Sequence, residues 1–107
     1  MAAQDTYLMA IISAPADIAG KLAGELVSRK LAACAQVTGK VESFYWWEGT
    51  MHREPEVLIY LKTKAALVPG IRELLKEHHP YEVPEFITLP ILGGNPAYLS
   101  WLAETLS

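Results

Sequence analysis

Hydrophobic and polar residues follow patterns that predict strands and helices in a regular order. Residues 7–12 form an apolar run without a polar break, which is typical of a central strand buried on both faces. Apolar residues then recur at helical spacing and predict a helix over about residues 17–30, with Asp17 as its N-cap. The chain therefore begins with a strand followed by a helix.

The middle of the chain predicts a long β-hairpin. Residues 33–47 are rich in β-branched and aromatic side chains and contain Gly39, where a bulge is expected. Residues 48–50 form the turn, and residues 57–63 form the returning strand. Pro55 lacks a backbone donor, so it is expected at an edge or bulge in the outer part of the hairpin.

A second helix, a fourth strand and a short final helix complete the pattern. The second helix tolerates Pro69 only in its first turn. Residues 85–91 read as a strand, after which Asn95 caps the final helix and Pro96 takes its first position. The predicted buried positions are Leu67, Ile71, Leu74 and Leu75 in the second helix and Tyr98, Leu99, Leu102 and Leu106 in the last.

The order βαββαβ plus a C-terminal helix predicts an α+β, ferredoxin-like fold, with one antiparallel sheet and helices on one face. We expect a single domain over residues 1–107, with residues 1–6 flexible. Following the strand directions, the end of the first strand, the hairpin tip, the end of the second helix and the start of the last strand meet at one edge. The only cysteine, Cys34, lies at the opposite edge, so within one subunit it cannot pair with histidines near residue 78.

Composition and charge narrow the classes of partner. The chain has 107 residues, of which 51% are apolar and 20% charged, and a formal net charge of −3. No basic run could neutralise a series of phosphates, so a nucleic-acid partner is not expected. No apolar stretch approaches the roughly 20 residues that span a bilayer, and no signal-peptide pattern is present, so we expect a cytoplasmic protein without a membrane partner.

Candidate chemistry is concentrated in residues 78–85, His-His-Pro-Tyr-Glu-Val-Pro-Glu. Helical spacing places His78 on the inner apolar face of the second helix, which favours a structural role. His79 lies about 100° further round the helix, which makes it the better candidate for an exposed metal ligand. Because a helix C-terminus favours positive charge, both histidines also have an explanation that needs no metal.

Several segments resemble the divalent-cation tolerance protein CutA family. They are Phe-Tyr-Trp-Trp-Glu-Gly at residues 44–49 and the 78–85 stretch, followed by Leu-Pro-Ile at 89–91 and Gly-Asn-Pro-Ala-Tyr-Leu-Ser-Trp at 94–101. Lys-Leu-Ala-Ala-Cys at 30–34 and Leu-Lys-Thr at 61–63 fit the same order. The resemblance implies a ferredoxin-like subunit in a tight homotrimer, similar in architecture to PII signalling proteins, and a role in tolerance of copper and other divalent cations. It implies no known reaction.

The copper site suggested for that family matches His78 and His79 and adds a cysteine near the end of the first strand. Ile12 stands at that position here. The remaining imidazoles suit Cu(II), Zn or Ni, with Glu82 or Glu85 as oxygen ligands. Metal binding is therefore expected to be weaker and less selective than with a thiolate.

Two further groups are candidates for binding. The hairpin tip carries Tyr45, Trp46, Trp47 and Glu48, which either line a pocket or bury themselves between subunits. Lys62 lies at the other end of its strand, so it joins Tyr81 and Glu85 only across a subunit boundary. There the three would bind a small anion or transfer protons, although an ordinary salt bridge fits equally well.

Three functions remain open at this point. The first is a trimeric protein that binds copper or another divalent metal ion and responds to it. The second is a PII-like sensor that binds a small metabolite or anion between subunits and signals to an unidentified protein partner. An enzyme ranks last, because the sequence shows no nucleophile–base pair and no phosphate-binding loop.

Overall fold

The computed structural model describes residues 6–107 of the chain. Residues 1–6 are expected to be flexible, but residues 1–5 lie outside the described part of the chain. The carbonyl of Thr6 accepts a 2.8 Å hydrogen bond from the Ala65 amide. The elements are β1 (Tyr7–Ala14), α1 (Ala16–Ser28), β2 (Cys34–Val37), β3 (Val41–Trp47), β4 (Thr50–Lys64), α2 (Val68–His78), β5 (Phe86–Pro90) and α3 (Pro96–Thr105). A short 3-10 turn at Ala65–Leu67 leads from β4 into α2.

One antiparallel sheet organises the chain, in the order β2-β4-β1-β5. β1 is central, as its apolar run predicts, and it pairs with β4 on one side and β5 on the other. The sheet and helices confirm the predicted α+β, ferredoxin-like class. Because β4 has 15 residues, its inner half pairs with β1 while its outer half extends beyond β1 and pairs only with β3.

The main core lies between one face of the sheet and the helices α1 and α2. Alternate residues of β1 and β4 point toward these helices and are buried, as period-2 alternation requires. The helices contribute apolar residues at helical spacing, so burial of this stripe holds them on the sheet. The core includes Ala10, Ile12, Ile59 and Leu61 from the strands, and Leu22, Leu26, Ile71, Leu74 and Leu75 from the helices.

The opposite face of the sheet carries apolar side chains as well. We call it the open sheet face, because α1 and α2 pack on the other side. In β5, Ile87 is 50% exposed and Leu89 is 42% exposed. The register places these two residues beside Ile11 and Met9 of β1, which are partly buried.

β3 and the outer half of β4, residues 41–56, form a two-stranded hairpin arm. The turn consists of Glu48 and Gly49, whose φ angles are 50° and 76°. Positive φ at both positions is typical of a two-residue hairpin turn, in which glycine is favoured. Pro55 lies opposite Glu42 where β1 no longer pairs with β4, which confirms its predicted edge position. On the arm, Arg53 Nε is 2.9 Å from Glu42 Oε2 and the guanidinium lies over the Phe44 ring.

A bulge at residues 38–40 separates β2 from β3 and confirms the deviation expected at Gly39. Val37 lies opposite Ile59 and Val41 lies opposite Glu56, so three residues on one strand face two on the other. The Thr38 hydroxyl accepts a hydrogen bond of 2.9 Å from the Leu58 amide at this point. The extra residue reverses the side-chain alternation between β2 and β3.

The helix ends differ in detail from the sequence-based expectations. α1 begins at Ala16 after Pro15 and has no side-chain cap, so the prediction of Asp17 as its N-cap is wrong. Asp17 instead lies in the first turn, where a negative charge favours the helix. The cap of α3 is confirmed, because Asn95 Oδ1 accepts a 3.1 Å hydrogen bond from the Ala97 amide.

α3 packs apart from the main core. Leu102 and Leu106 are buried against Tyr7, Leu67 and Ile91, as predicted for the two leucines. Tyr98 is 41% exposed, so its predicted burial is wrong. In the part of the chain that the structure describes, no helix is both long and apolar enough to cross a membrane.

Candidate functional site

The two histidines at the end of α2 occupy opposite environments. α2 ends at His78, and His79 adopts φ −86° and ψ 132°, an extended conformation. His79 is buried, with 7% exposure, whereas the side chain of His78 is 38% exposed. The prediction that His78 faces inward and His79 faces solvent is therefore wrong.

Pro80 accounts for the inward direction of His79. A proline disfavours the helical conformation for the residue before it and moves that residue to extended geometry. The spacing of about 100° per residue then no longer applies to His79, whose side chain turns inward instead. His79 thus points inward from the extended chain, while His78, the last residue of α2, remains exposed.

Both ring nitrogens of His79 are engaged in hydrogen bonds. Nε2 lies 2.8 Å from the carbonyl oxygen of Ser13, and Nδ1 lies 3.2 Å from the backbone nitrogen of Tyr81. Since a carbonyl only accepts and an amide only donates, Nε2 carries the hydrogen and Nδ1 accepts. The ring also lies 4.7 Å, centroid to centroid, from the Tyr81 ring. His79 therefore fastens the end of β1 to the 79–85 loop and has no free nitrogen for a metal.

His78 is the exposed imidazole of the pair. Its Nε2 lies 3.7 Å from Glu77 Oε2. Among residues 6–107, no group of three or more His, Cys, Asp or Glu side chains is arranged to hold a metal ion. Ile12 is fully buried in the main core, so it adds only apolar contact. One subunit thus offers at most a partial metal site at His78.

The hairpin arm and the 81–85 loop together form a cleft of about 570 Å³, which we call the arm cleft. The predicted meeting of the hairpin tip, the end of β1 and the start of β5 is confirmed here. Tyr45, Trp47, Tyr81 and Glu85, all named from the sequence, line this cleft. The other lining residues are Ser13, Ser43, Phe44, Trp46, Glu56, Glu82, Val83 and Pro84.

Glu56 is a lining residue that sequence reasoning missed. It lies in β4 opposite Val41 and is only 5% exposed. In the sequence, this glutamate directly precedes the buried run 57–61. Side-chain alternation places it on the face of the strand opposite residue 57. Its burial depends on the loop from Tyr81 to Glu85, which lies far away in sequence.

Tyr81 faces Glu56 within the arm cleft. Burial raises the pKa of Tyr81 to about 12, and the hydrogen bond and charge of Glu56 act in the same direction. Electrostatic interactions with Tyr45 and Glu54 raise it slightly further. The phenol is therefore held in its protonated form as a hydrogen-bond donor.

Glu48 and Lys62 lie outside the arm cleft. Glu48 is exposed in the hairpin turn. Lys62 donates to Gln36 Oε1 and lies six residues along β4 from Glu56, about 20 Å at 3.3 Å per residue. The predicted location of Lys62 at the other end of the strand is confirmed, and its approach to Tyr81 and Glu85 across a subunit boundary stays a prediction.

The arm itself presents aromatic side chains to solvent. Trp46 is 74% exposed and Phe44 is 60% exposed. On the other face of the arm, Tyr45 stacks on His52 with ring centroids 5.4 Å apart. Exposed aromatic residues at this density are typical of a surface that contacts another protein chain.

Cys34 lies far from the arm cleft, opposite Lys62 in the sheet. It is partly buried beside Tyr98, whose pKa is raised by burial and then by the charge and hydrogen bond of Cys34. The expected separation of Cys34 from the histidines is thus confirmed.

Comparison with known proteins identifies relatives over nearly the whole chain. The family model described as CutA1 divalent ion tolerance protein matches residues 8–105. The chloroplastic protein CutA 1 of Oryza sativa subsp. japonica is 45% identical over 99 residues, which are 92% of this chain and 56% of the rice protein. The chain thus spans little more than half of that relative's length. The divalent-cation tolerance protein CutA of Shigella flexneri is 39% identical over 102 residues, covering 94% of this chain and 91% of that protein.

Solved structures agree with the sequence matches. CutA1 from Oryza sativa superimposes with a TM-score of 0.89 at 40% identity, covering 99% of this chain and 98% of that one. The divalent cation tolerance protein from Thermus thermophilus gives a TM-score of 0.90 at 36% identity, covering 94% of this chain and 99% of that one.

Proposed function

Because the chain belongs to the CutA1 divalent ion tolerance family, we propose that it is a divalent-cation response protein that works as a homotrimer in the cytoplasm. In this proposal it binds copper or another divalent metal ion, catalyses no reaction and signals to a protein partner. The metal ion is the signal rather than a resident cofactor.

The exposed imidazole of His78 beside Glu77 is the observation that carries metal binding. An imidazole and a carboxylate suit Cu(II), Zn or Ni better than cuprous copper, which prefers thiolates. Two donors from one subunit support only weak binding, so water or a second copy would complete the coordination. His79 supports the site indirectly by holding the loop that follows His78.

Titration of Cu(II) chloride into wild type and single variants tests this proposal. We expect His78→Ala to weaken binding by about tenfold or more, because it removes the exposed imidazole at the end of α2. His52→Ala serves as the control, since it removes an imidazole from the hairpin arm and should leave the affinity unchanged. Equal affinities for wild type and His78→Ala would reject metal binding at this position.

The open sheet face and the hairpin arm support homotrimer assembly. Ile87 and Leu89 on the sheet and Phe44 and Trp46 on the arm are all more than two-fifths exposed in one subunit. Antiparallel sheets expose such an apolar face to water only at a cost in free energy, and association removes that cost. Closed symmetry would let the same two surfaces meet in every copy.

A second candidate function, a sensor for a small molecule, is favoured by the arm cleft. Its volume of about 570 Å³ lies in the range of sites for small organic ligands. The cleft is bounded by the hairpin arm, so a ligand there would bias the position of the surface that a partner contacts. Crystals soaked with a metabolite mixture test this candidate, which fails if the cleft binds none of the components.

A further inference from the structure

The arm cleft combines aromatic walls with carboxylates. Tyr45, Trp46, Trp47 and Tyr81 supply rings, and Glu56, Glu82 and Glu85 supply carboxylates. No Lys, Arg or His is found among the described residues that line it. An anionic ligand would therefore meet only negative charge in the cleft of a single subunit.

Glu56 is the deepest of these acids and lacks a cationic partner. Within residues 6–107, the ion pairs in direct contact are Arg29–Glu25, Arg53–Glu42 and His78–Glu77, and none involves a cleft glutamate. A carboxylate that is 5% exposed loses most of its hydration. The Tyr81 phenol interacts with it, but a neutral group leaves the negative charge uncompensated.

A metal ion is a poor match for this charge. The three carboxylates do not form a group that could hold a metal ion in the described part of the chain. Indole and phenol rings also do not coordinate hard divalent ions, which prefer several oxygen ligands. The same rings do attract organic cations, because the face of an aromatic ring carries partial negative charge.

We propose that the arm cleft binds a small organic ammonium ion, with Glu56 facing its charge and Tyr45, Trp47 and Tyr81 enclosing its alkyl groups. This inference rests on the second candidate function, small-molecule sensing, and names the class of ligand. It is independent of metal binding at His78.

Three probes of equal shape and different charge test the proposal. Choline is the cation, 3,3-dimethylbutan-1-ol is its neutral carbon analogue, and 3,3-dimethylbutanoate is the anion. Binding is measured by calorimetry on the assembled protein. We expect choline to bind at least about tenfold more tightly than the other two. Only choline has a positive charge that can contact both the aromatic rings and the Glu56 carboxylate.

Two variants locate the site. Glu56→Gln keeps the shape and removes the charge, so it should weaken choline binding by about tenfold. Glu104→Gln makes the same change on the exposed surface of α3 and should leave binding unaltered. If Glu56→Gln does not fold, Trp47→Leu at the partly exposed rim should weaken choline binding by about threefold or more.

The outcomes separate the ligand class from the sensing function. Tighter binding of the neutral or anionic probe overturns the assignment of an ammonium ligand, but small-molecule binding in the arm cleft still stands. Failure of all three probes to bind, in wild type and in Lys62→Gln, overturns the assignment and counts against small-molecule sensing. If choline binds only to Lys62→Gln, a lysine from a second copy fills the cleft, and the small-molecule assignment is wrong.

Discussion

At residue 79 the chain leaves helical geometry, and this one step decides which histidine is buried. Pro80 holds His79 in extended conformation, and the ring then reaches the Ser13 carbonyl on β1. The bond to the Tyr81 amide fixes the direction of the loop that supplies Tyr81 to the arm cleft. A residue that looks like an exposed metal ligand in the sequence is therefore the anchor of the loop.

Replacing His79 should destabilise the protein much more than replacing His78. His79→Ala removes a buried ring and leaves the Ser13 carbonyl and the Tyr81 amide without their partners, at a cost of about 2–4 kcal/mol. His78→Ala on the surface should change the free energy of unfolding by about 0.5 kcal/mol or less. Urea unfolding at one fixed subunit concentration measures both, and equal costs would contradict the anchoring role.

The Tyr81 phenol should titrate well above the ordinary tyrosine pKa of 10.0. Its pKa is raised to about 12 in the folded protein, so the folded state holds the proton more tightly than the unfolded state does. The stability that this group contributes is fully present below about pH 10 and is lost as the pH rises from about 10 toward 12. Carbon NMR of the tyrosine rings, assigned with Tyr81→Phe, measures the pKa.

Glu56→Gln offers a control for the cause of that shift. It removes the charge of Glu56 while burial of the phenol remains, so the pKa of Tyr81 should fall and still stay above 10.0. A pKa that did not respond to Glu56→Gln would show that the two groups do not interact.

At the scale of elements, a bulge and a cap direct the outer parts of the fold. The bulge at residues 38–40 reverses the side-chain alternation, so that Tyr45 and Trp47 of β3 share a face with Glu56 of β4. Without the extra residue, this face of the arm would carry Phe44 and Trp46 instead. Asn95 caps α3, which begins at Pro96 shortly after β5 ends at Pro90.

Loss of the Asn95 cap should cost a modest and specific amount of stability. Asn95→Ala leaves the Ala97 amide without its side-chain acceptor, and we expect a loss of about 1 kcal/mol. Asn95→Ser retains an acceptor oxygen and should cost clearly less. Chemical unfolding of both variants measures the difference, and identical stabilities would mean that the cap contributes nothing to α3.

At the scale of the whole molecule, one subunit leaves two apolar surfaces uncovered. The open sheet face and the hairpin arm lie away from the main core, which α1 and α2 already cover. The subunit is also elongated, at 43 × 25 × 25 Å, because the arm extends beyond the end of β1. Both features fit a subunit whose core is completed by other copies.

A charge placed on the open sheet face should disrupt assembly. Leu89→Glu puts a carboxylate where the homotrimer would bury it, and we expect light scattering to show a shift from trimer to monomer. Val27→Glu introduces the same charge on the outer side of α1 and should leave the mass unchanged. A trimer that persists in Leu89→Glu would place the interface elsewhere.

Local patterns in the sequence determined most of the architecture. The apolar run of β1, the helical spacing of α2 and the Asn95-Pro96 start of α3 depend on neighbours within a few residues, so they could be predicted. The element order then led to the ferredoxin-like class and to the edge where the arm meets the loop. The prediction failed at His79 because helical spacing was continued to a residue that Pro80 holds in extended geometry.

Only the tertiary structure decided what the site consists of. The burial of Glu56 comes from packing between β4 and a loop about 25 residues later, and its lack of a cationic partner is visible only once every nearby side chain has a position. The sequence names residues that are able to bind a ligand. Burial and charge compensation depend on all the residues that folding brings close together, including those distant in sequence. The structure alone therefore shows which residues form a cleft and what charge that cleft carries.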